Sequence, residues 1–307
     1  MRGITASRMQ PATANPLRAA ALMLAATVMF GFMTVAIRLA THEMHAFEVA
    51  FFRNFFGLLF ALPLLLKHGP GLLQTRKLPL YFARCVIGLM SMLCGFWAIS
   101  QLPLAQAVSL SYSTPLFVTI GAVFALGETV RARRWSAVLI GFLGVMLIVR
   151  PGFVALTPGV LAALMGAFLS AGTAISIKYL SRTEQPDAIV LMTTLLWVPL
   201  SLPAALWVWE WPSAAGWLWV AITGALGTAG HMLWTRAFRL GEISALTPIS
   251  FMQLPIVAIA GFLLFGESID RWTVAGALVI FGANAYIAQR EALQVRRAIA
   301  ADASTVE

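Results

Sequence analysis

Five hydroxyl-bearing residues surround Pro115 in the stretch SLSYSTPLF at 109–117, within an otherwise apolar run. Ser109, Tyr112 and Ser113 stand at i, i+3 and i+4, so they share one face of a helix. Pro115 has no N–H and leaves the carbonyl four residues earlier without its helical partner. The pattern predicts a kinked helix whose polar face lines a water-filled, solute-binding cavity. Helix–helix packing through small hydroxyl residues is the alternative.

A second proline-interrupted stretch, TPISFMQLPI, occupies 247–256. Pro248 and Pro255 break its apolar run, and Ser250 and Gln253 stand three residues apart on one helical face. A glutamine amide offers two donors and an acceptor. Gln253 is therefore predicted either to bind the carboxylate or amide of a solute or to bridge two helices.

Two segments about 140 residues apart predict opposite walls of a cavity. The later segment places three hydroxyl residues at helical spacing, whereas the matching earlier positions are apolar and include Met33, whose thioether adapts to several shapes. One polar and one soft wall would suit a small solute with an apolar end, and ordinary core packing is the alternative. The candidate substrate-binding residues here are Phe30, Met33, Thr34, Ser170, Thr173 and Ser176.

His231 is the only histidine within an apolar run, and Trp234 follows it by three residues. Trp97 holds a comparable place in the other half of the chain. A cavity lined by a histidine and two tryptophans would grip an aromatic solute by stacking. An interfacial tryptophan belt with a hydrogen-bonded histidine is the alternative.

Charged residues also occur within the apolar runs. Arg53 lies inside one of them, five residues after Glu48, and an intramembrane charge is a functional candidate by default. Arg38 and Arg84 lie near the ends of their runs, where we expect their side chains to reach the membrane surface.

Two Gly-Glu pairs end apolar runs, at Glu128 and Glu267. Glycine commonly terminates a helix, so these carboxylates are predicted to be structural. We expect them to cap the following helix or to pair with Arg133 or Arg271.

Several kinds of chemistry lack their usual residues in this sequence. No Asp or Glu lies near the middle of an apolar run, so proton coupling is not indicated and uniport is expected. No metal-ligand cluster, phosphate-binding glycine loop or Ser/His/Asp constellation is present, so neither an enzyme nor a cofactor or metal is predicted.

The elements that position these residues are membrane spans. The chain of 307 residues is 60% hydrophobic and only 11% charged, with many apolar runs near the roughly 20 residues that a span needs. The predicted spans are 18–40, 46–66, 80–100, 104–126, 135–149, 158–178, 187–208, 215–235, 243–265 and 272–289.

The 21 Lys and Arg residues set the topology. Placing the N-terminus in the cytoplasm leaves only Arg150 and Arg271 in outer loops, and this bias predicts N-in, C-in topology. The same distribution accounts for the net charge of +9 without a basic face, so nucleic acid is not a predicted partner.

The chain also repeats itself. FALGETVRARRW at 124–135 returns as LLFGESIDRW at 263–272, an offset of about 140 residues. We predict two five-span repeats, 18–150 and 151–290, with cytoplasmic tails at 1–17 and 291–307. Because five is odd, the second repeat is inverted, as in many transporters.

The Gly-Glu pairs, their preceding prolines, the FFRN stretch and the five-plus-five layout resemble the drug/metabolite transporter (DMT) superfamily, EamA-type branch. The chain is also similar to YddG-type exporters of aromatic amino acids. The resemblance implies an all-α bundle in which spans 1, 3, 4, 6, 8 and 9 surround a cavity and spans 5 and 10 lie at one edge. It also implies a structural role for Arg53 and Glu48.

The function implied is export of small amphipathic metabolites, aromatic or apolar amino acids first, by alternating access. The alternatives are a broad drug exporter, an organic-phosphate or nucleotide-sugar exchanger, and, from other classes, a membrane enzyme or channel. The expected partners are a small solute and the lipid bilayer of a bacterial inner membrane. The expected assembly is a monomer or homodimer.

Overall fold

The structure is a computed structural model that describes residues 16–68, 75, 77–126, 132–151, 156–180, 184, 186–240, 246, 249–268 and 270–304. The regular secondary structure of these residues is α-helical. The helices are α1 Pro16–Ala40, α2 Ala46–His68, α3 Leu78–Gln101, α4 Leu104–Ser111, α5 Thr114–Leu126, α6 Ala132–Val149, α7 Pro158–Leu180, α8 Pro186–Leu206, α9 Ala214–Leu240, α10 Gln253–Phe265 and α11 Arg271–Ser304.

The helices follow the predicted spans, and two of those spans are interrupted. The fourth span is divided into α4 and α5 at residues 112–113, and residues 251–252 form a turn directly before α10. Pro115 and Pro255 each lie in the first turn of the helix that follows the interruption. A proline is tolerated there because the first turn has no helical partners for its N–H groups.

The surface of the bundle is that of a chain surrounded by lipid. Five of the described helices, α1, α2, α3, α7 and α8, are each long and apolar enough to cross a membrane. Large apolar side chains face outward, among them Leu143, Leu263 and Leu278, each more than half exposed. Exposure of this kind along several helices marks a membrane-facing surface.

Helix packing pairs elements that are distant in the sequence. The most extensive contacts join α1 to α9, α3 to α7 and α6 to α11. The second helix packs against both α8 and α9, while α7 contacts α5 and α10 contacts both α1 and α4. The core is therefore built between the two halves of the chain.

Glycine allows α6 and α11 to approach closely. A Cβ atom on Gly276 would lie 2.5 Å from the carbonyl oxygen of Gly144 and 2.5 Å from Cγ1 of Ile148. A Cβ atom on Gly144 would lie 2.8 Å from the carbonyl oxygen of Gly276. The two backbones touch here, as small residues permit at helix interfaces in membranes.

We expect Gly276→Ala to lower the thermal unfolding midpoint of the detergent-solubilised protein, because a backbone carbonyl cannot move aside as a side chain can. Overpacking of this kind costs about 1–3 kcal/mol. Gly282→Ala in the same helix is the matched control, since nothing lies within 4 Å of its added Cβ. Equal midpoints for the two variants would contradict this close packing.

Candidate functional site

The two interrupted spans meet. The ring of Tyr112, at the break between α4 and α5, stacks on Phe251 with centroids 4.2 Å apart and an interplanar angle of 24°. The Tyr112 hydroxyl donates to the carbonyl oxygen of Ser250 at 2.9 Å. From α11, Nδ2 of Asn284 donates to the carbonyl oxygen of Tyr112, also at 2.9 Å. One tyrosine thus links both breaks and the last helix.

The serine and threonine hydroxyls near Pro115 bond to carbonyls of their own span. Thr114 Oγ1 donates at 2.8 Å to the carbonyl oxygen of Ser111, the group that Pro115 deprives of its helical partner. Ser109 and Ser113, both fully buried, donate to the carbonyls of Ala105 and Leu110. These bonds satisfy the broken backbone locally, and substrate contact by Ser109 and Ser113 stays a prediction.

Gln253 connects α10 to α1. Its Nε2 atom donates to Thr34 Oγ1 at 3.2 Å and lies 3.5 Å from the carbonyl oxygen of Phe30, to which Thr34 also donates. Of the two roles predicted for this amide, helix bridging is the one seen among the described contacts. Solute binding by Gln253 and Ser250 stays a prediction, and the preceding Pro248 lies outside the described residues.

The predicted polar wall lies largely at the contact of α7 with α3. Ser170 Oγ is 2.7 Å from Ser91 Oγ, which donates to the carbonyl oxygen of Gly166 at 2.8 Å. Thr173 and Ser176 donate to the carbonyl oxygens four residues earlier in α7. Ser170 therefore joins two helices, as small hydroxyl residues commonly do in membranes. Binding of a solute by these three residues stays a prediction.

The predicted soft wall packs on α9. Phe30 meets His231 edge to face, with ring centroids 5.1 Å apart. A Cβ atom on Gly230 would lie 2.7 Å from the Phe30 ring, and one on Gly227 would lie 3.1 Å from Met33 Sδ. The glycines of α9 therefore make room for the two side chains of α1. His231 itself remains exposed, so an aromatic surface is accessible beside it.

The tryptophans divide between core and surface. Trp97 is partly buried and packs against two groups of core residues, whereas Trp234 is 38% exposed. Trp197, which the sequence did not single out, packs over Gly88 and donates from Nε1 to the carbonyl oxygen of Cys85 at 3.0 Å. An indole at a helix crossing carries no periodic signal in the sequence that would have identified it.

Glu267, predicted to be structural, contacts groups on other helices. Its Oε1 atom pairs with Arg38 Nη2 at 3.1 Å, and its Oε2 atom accepts the backbone N–H of Leu104 at 2.8 Å. Arg38 also donates to the carbonyl oxygens of Ile99 and Leu102. Glu267 thus pairs with Arg38 rather than with Arg271. Backbone and side-chain groups from distant parts of the chain therefore supply these contacts.

The other charged residues are held differently. Glu48 is fully buried and accepts the backbone N–H groups of His45 and Glu210 at 3.2 and 2.7 Å. Arg84 is buried and donates to Thr193 Oγ1 rather than reaching the membrane surface as expected. Glu128, predicted to be structural, lies outside the described residues.

Arg53 donates from Nη1 to Oδ1 of Asn54 at 3.1 Å.

No group of three or more His, Cys, Asp and Glu residues that could hold a metal ion occurs in the described part of the chain. A surface depression of about 680 Å³ lies over the loop residues Thr41–His45 and Leu206–Glu210 and contains none of the predicted site residues.

Interrupted apolar spans that contact one another within a helical bundle are a recurrent feature of membrane transporters. The chain belongs to the EamA-like transporter family, within the drug/metabolite transporter superfamily: the family matches residues 17–150 and again residues 157–288. Members of this family are multi-pass membrane proteins, and the apolar helices of this chain agree with that.

Curated relatives extend over most of the chain. The S-adenosylmethionine uptake transporter of Rickettsia prowazekii (strain Madrid E) is 28% identical, over 81% of this chain and 85% of its own length. The riboflavin transporter of Vibrio cholerae is 28% identical over 92% of this chain and 97% of its own length. The pseudopaline exporter CntI of Pseudomonas aeruginosa is 28% identical over 84% of this chain and 92% of its own length. A solved crystal structure shares the fold, with a TM-score of 0.63 and 20% sequence identity. The match covers 89% of this chain and 98% of the chain in that structure.

Proposed function

We propose that this transporter exports small amphipathic solutes from the cytoplasm by alternating access and leaves them chemically unchanged. The observation that carries the proposal is the meeting of the two interrupted spans, where Tyr112 stacks on Phe251. Transporters built from inverted repeats bind solutes near the bilayer midplane, between interrupted helices of the two halves. The breaks at 112–113 and 251–252 fit that plan.

Helix pairing supports two inverted repeats, 18–150 and 151–290. Matching the first five spans to the last five relates α1 to α7, α2 to α8 and α3 to α9. The contact of α1 with α9 then corresponds to that of α7 with α3, and both occur. The contacts of α2 with α9 and of α8 with α3 correspond in the same way. With five spans in each repeat, both termini face the cytoplasm, as the Lys and Arg residues favour.

We assign the Arg38–Glu267 pair to the outer gate, in its closed state. In N-in topology the pair lies at the outer end of α1. Through Arg38, Glu267 and the backbone of Leu104, it joins the end of α1, the end of α3, the start of α4 and the end of α10. These helices belong to spans 1, 3, 4 and 9, which the family resemblance arranges around the cavity. Holding them together closes the path on that side.

The solute we propose has a flat aromatic ring and a polar end, with aromatic amino acids as its simplest examples. The exposed ring of His231, which Phe30 contacts edge to face, would stack on such a ring. The names of the relatives favour S-adenosylmethionine and riboflavin as second candidates. Both contain a heteroaromatic ring system and a polar chain.

We test the proposal by reconstituting the protein in liposomes and measuring uptake of labelled tryptophan, phenylalanine, S-adenosylmethionine and riboflavin. Saturable uptake of at least one of these solutes is expected. If none is taken up, the proposed solute class is wrong. Uptake should be the same with and without a pH gradient, because uniport needs no proton. Acceleration by the gradient beyond the effect of solute charge would contradict uniport.

We place the protein in a bacterial inner membrane as a monomer or homodimer. Mass photometry of the protein in detergent or nanodiscs would measure the assembly directly. A trimer or larger assembly would contradict this assignment.

A further inference from the structure

Arg53 carries a positive charge to the middle of the bundle. It is the eighth residue of α2, and its guanidinium lies against Gly227, the fourteenth of the 27 residues of α9. A Cβ atom on Gly227 would lie 3.1 Å from Nη2 and 3.2 Å from Nε of Arg53. Since α9 spans the bundle, the guanidinium lies near half its depth.

The described residues leave most of this guanidinium without a protein acceptor. An arginine has five N–H donors, and the hydrogen bond described for Arg53 is the one to Oδ1 of its neighbour Asn54. Glu48, the acidic residue earlier in α2, is occupied by two backbone N–H groups. The ion pairs among the described residues, Arg38–Glu267 and Arg150–Asp270, do not include Arg53.

Arg53 differs in exposure from Arg84, the buried arginine of α3. Arg84 donates to the hydroxyl of Thr193 and is 6% exposed, whereas Arg53 keeps partial exposure. A charged side chain at membrane depth is costly, and such residues usually pair with one another or face a water-filled cavity. Arg53 thus has donors to offer to a group that enters from outside the protein.

The aromatic surface lies one turn away. Gly227 and His231 are four residues apart in α9, so they lie on the same face, about 6 Å apart along the axis. Met33 approaches Gly227 beside the guanidinium, and Phe30 meets His231. The guanidinium and the two aromatic rings therefore contact neighbouring turns of α9.

We propose that Arg53 binds the carboxylate of the transported solute while the ring of the solute lies against Phe30 and His231. This assignment rests on the proposed function and adds that the solute must carry an anionic group. The guanidinium fork matches a carboxylate in geometry and charge. The solute supplies the acceptor that the protein itself does not, so Arg53 sets specificity rather than holding helices together.

The test is inhibition of labelled tryptophan uptake in proteoliposomes by unlabelled indole-3-propionate, which keeps the carboxylate, and by tryptamine, which lacks it. Tryptophan uptake by the wild type should be inhibited more strongly by indole-3-propionate than by tryptamine. Arg53→Met should weaken inhibition by indole-3-propionate about 10- to 100-fold, the loss expected for a charge-assisted hydrogen bond, and leave tryptamine unchanged. Inhibition of Arg53→Lys by indole-3-propionate should be weaker than that of the wild type and stronger than that of Arg53→Met. The lysine ammonium keeps the positive charge but cannot form the two parallel hydrogen bonds of a guanidinium.

Arg84→Met is the matched control and should keep the wild-type preference for the carboxylate. If Arg53→Met does not fold, as judged by size exclusion and thermal unfolding, Arg53→Lys decides the question. An unchanged preference in a folded Arg53 variant that transports tryptophan overturns this assignment and leaves the proposed function standing. Absence of tryptophan uptake by the wild type overturns this assignment, and absence of uptake of all four solutes overturns the proposed function as well.

Discussion

Replacing Glu267 by glutamine is expected to reduce transport about tenfold or more. The two carboxylate oxygens of Glu267 accept from Arg38 and from the N–H of Leu104. A glutamine has one acceptor oxygen, and its NH₂ group would face one of these donors. Leaving a largely buried polar group unsatisfied costs about 1–3 kcal/mol. In a gate that closes in only one state, that cost shifts the population toward the outward-open form and slows the cycle.

Asp270→Asn is the matched control. The Arg150–Asp270 pair has a similar length, 3.0 Å, but its side chains are 33% and 37% exposed, against 16% and 13% for Arg38 and Glu267. Exposed pairs contribute about 0–1 kcal/mol, and asparagine can still cap the first turn of α11. Transport by Asp270→Asn should stay within about twofold of wild type, given that small contribution.

Access to the proposed cavity provides a second test of the proposed gate. Val108 is buried in a group with Val35, Leu104 and Val257, one turn below the N-terminus of α4. With Cys85 and Cys94 replaced by alanine, a Val108→Cys reporter should react with an impermeant maleimide faster in the Glu267→Gln protein than in the parent. Glu267 does not close a gate if two results are found together. The reporter cysteine would react equally fast in the Glu267→Gln protein and in its parent, and Glu267→Gln would transport as well as Asp270→Asn.

Replacing Tyr112 by alanine is the second change expected to have a large effect. The substitution removes the stack on Phe251 and leaves the carbonyl oxygen of Ser250 without its donor. The stack is worth about 0.5–1.5 kcal/mol and the unsatisfied carbonyl about 1–3 kcal/mol. Because this contact holds the two breaks together, uptake should fall at least about tenfold, as these energies imply, and the thermal unfolding midpoint should fall with it.

Two variants isolate the contributions of the tyrosine. Tyr112→Phe keeps the stack and should show only the hydrogen-bond part of the loss. Ser111→Ala removes a neighbouring hydroxyl that bonds to its own helix at Val108 and should leave uptake unchanged. If Tyr112→Ala transports as well as Ser111→Ala, the contact between the breaks has no part in transport.

Much of this architecture could be predicted from sequence because the bilayer imposes it. Apolar runs of the length that a span needs must be helices, since no water is present to satisfy their backbone groups. Interruptions were expected near Pro115 and Pro255 because a proline removes a donor at a known place in the run.

The partners of polar groups were predicted less well, because sequence reasoning searches nearby residues first. Arg38 and Glu267 are 229 residues apart, and neither carries a local signal of the other. The serine and threonine hydroxyls near Pro115 illustrate the opposite case: they suggested a cavity, yet their described hydrogen bonds go to carbonyls of their own span. The orientation of Arg53 toward Gly227 depends on how α2 crosses α9, and no periodicity encodes that crossing.

Solute exchange tests most directly whether the protein works by alternating access. Proteoliposomes loaded with unlabelled tryptophan, or with whichever solute the wild type takes up, are diluted into the labelled solute, and its initial entry is compared with entry into empty liposomes. A carrier that exposes one site alternately to each side should fill faster when loaded, and its rate should saturate with solute concentration. Entry that rises linearly with concentration and is the same for loaded and empty liposomes would contradict alternating access and indicate a channel.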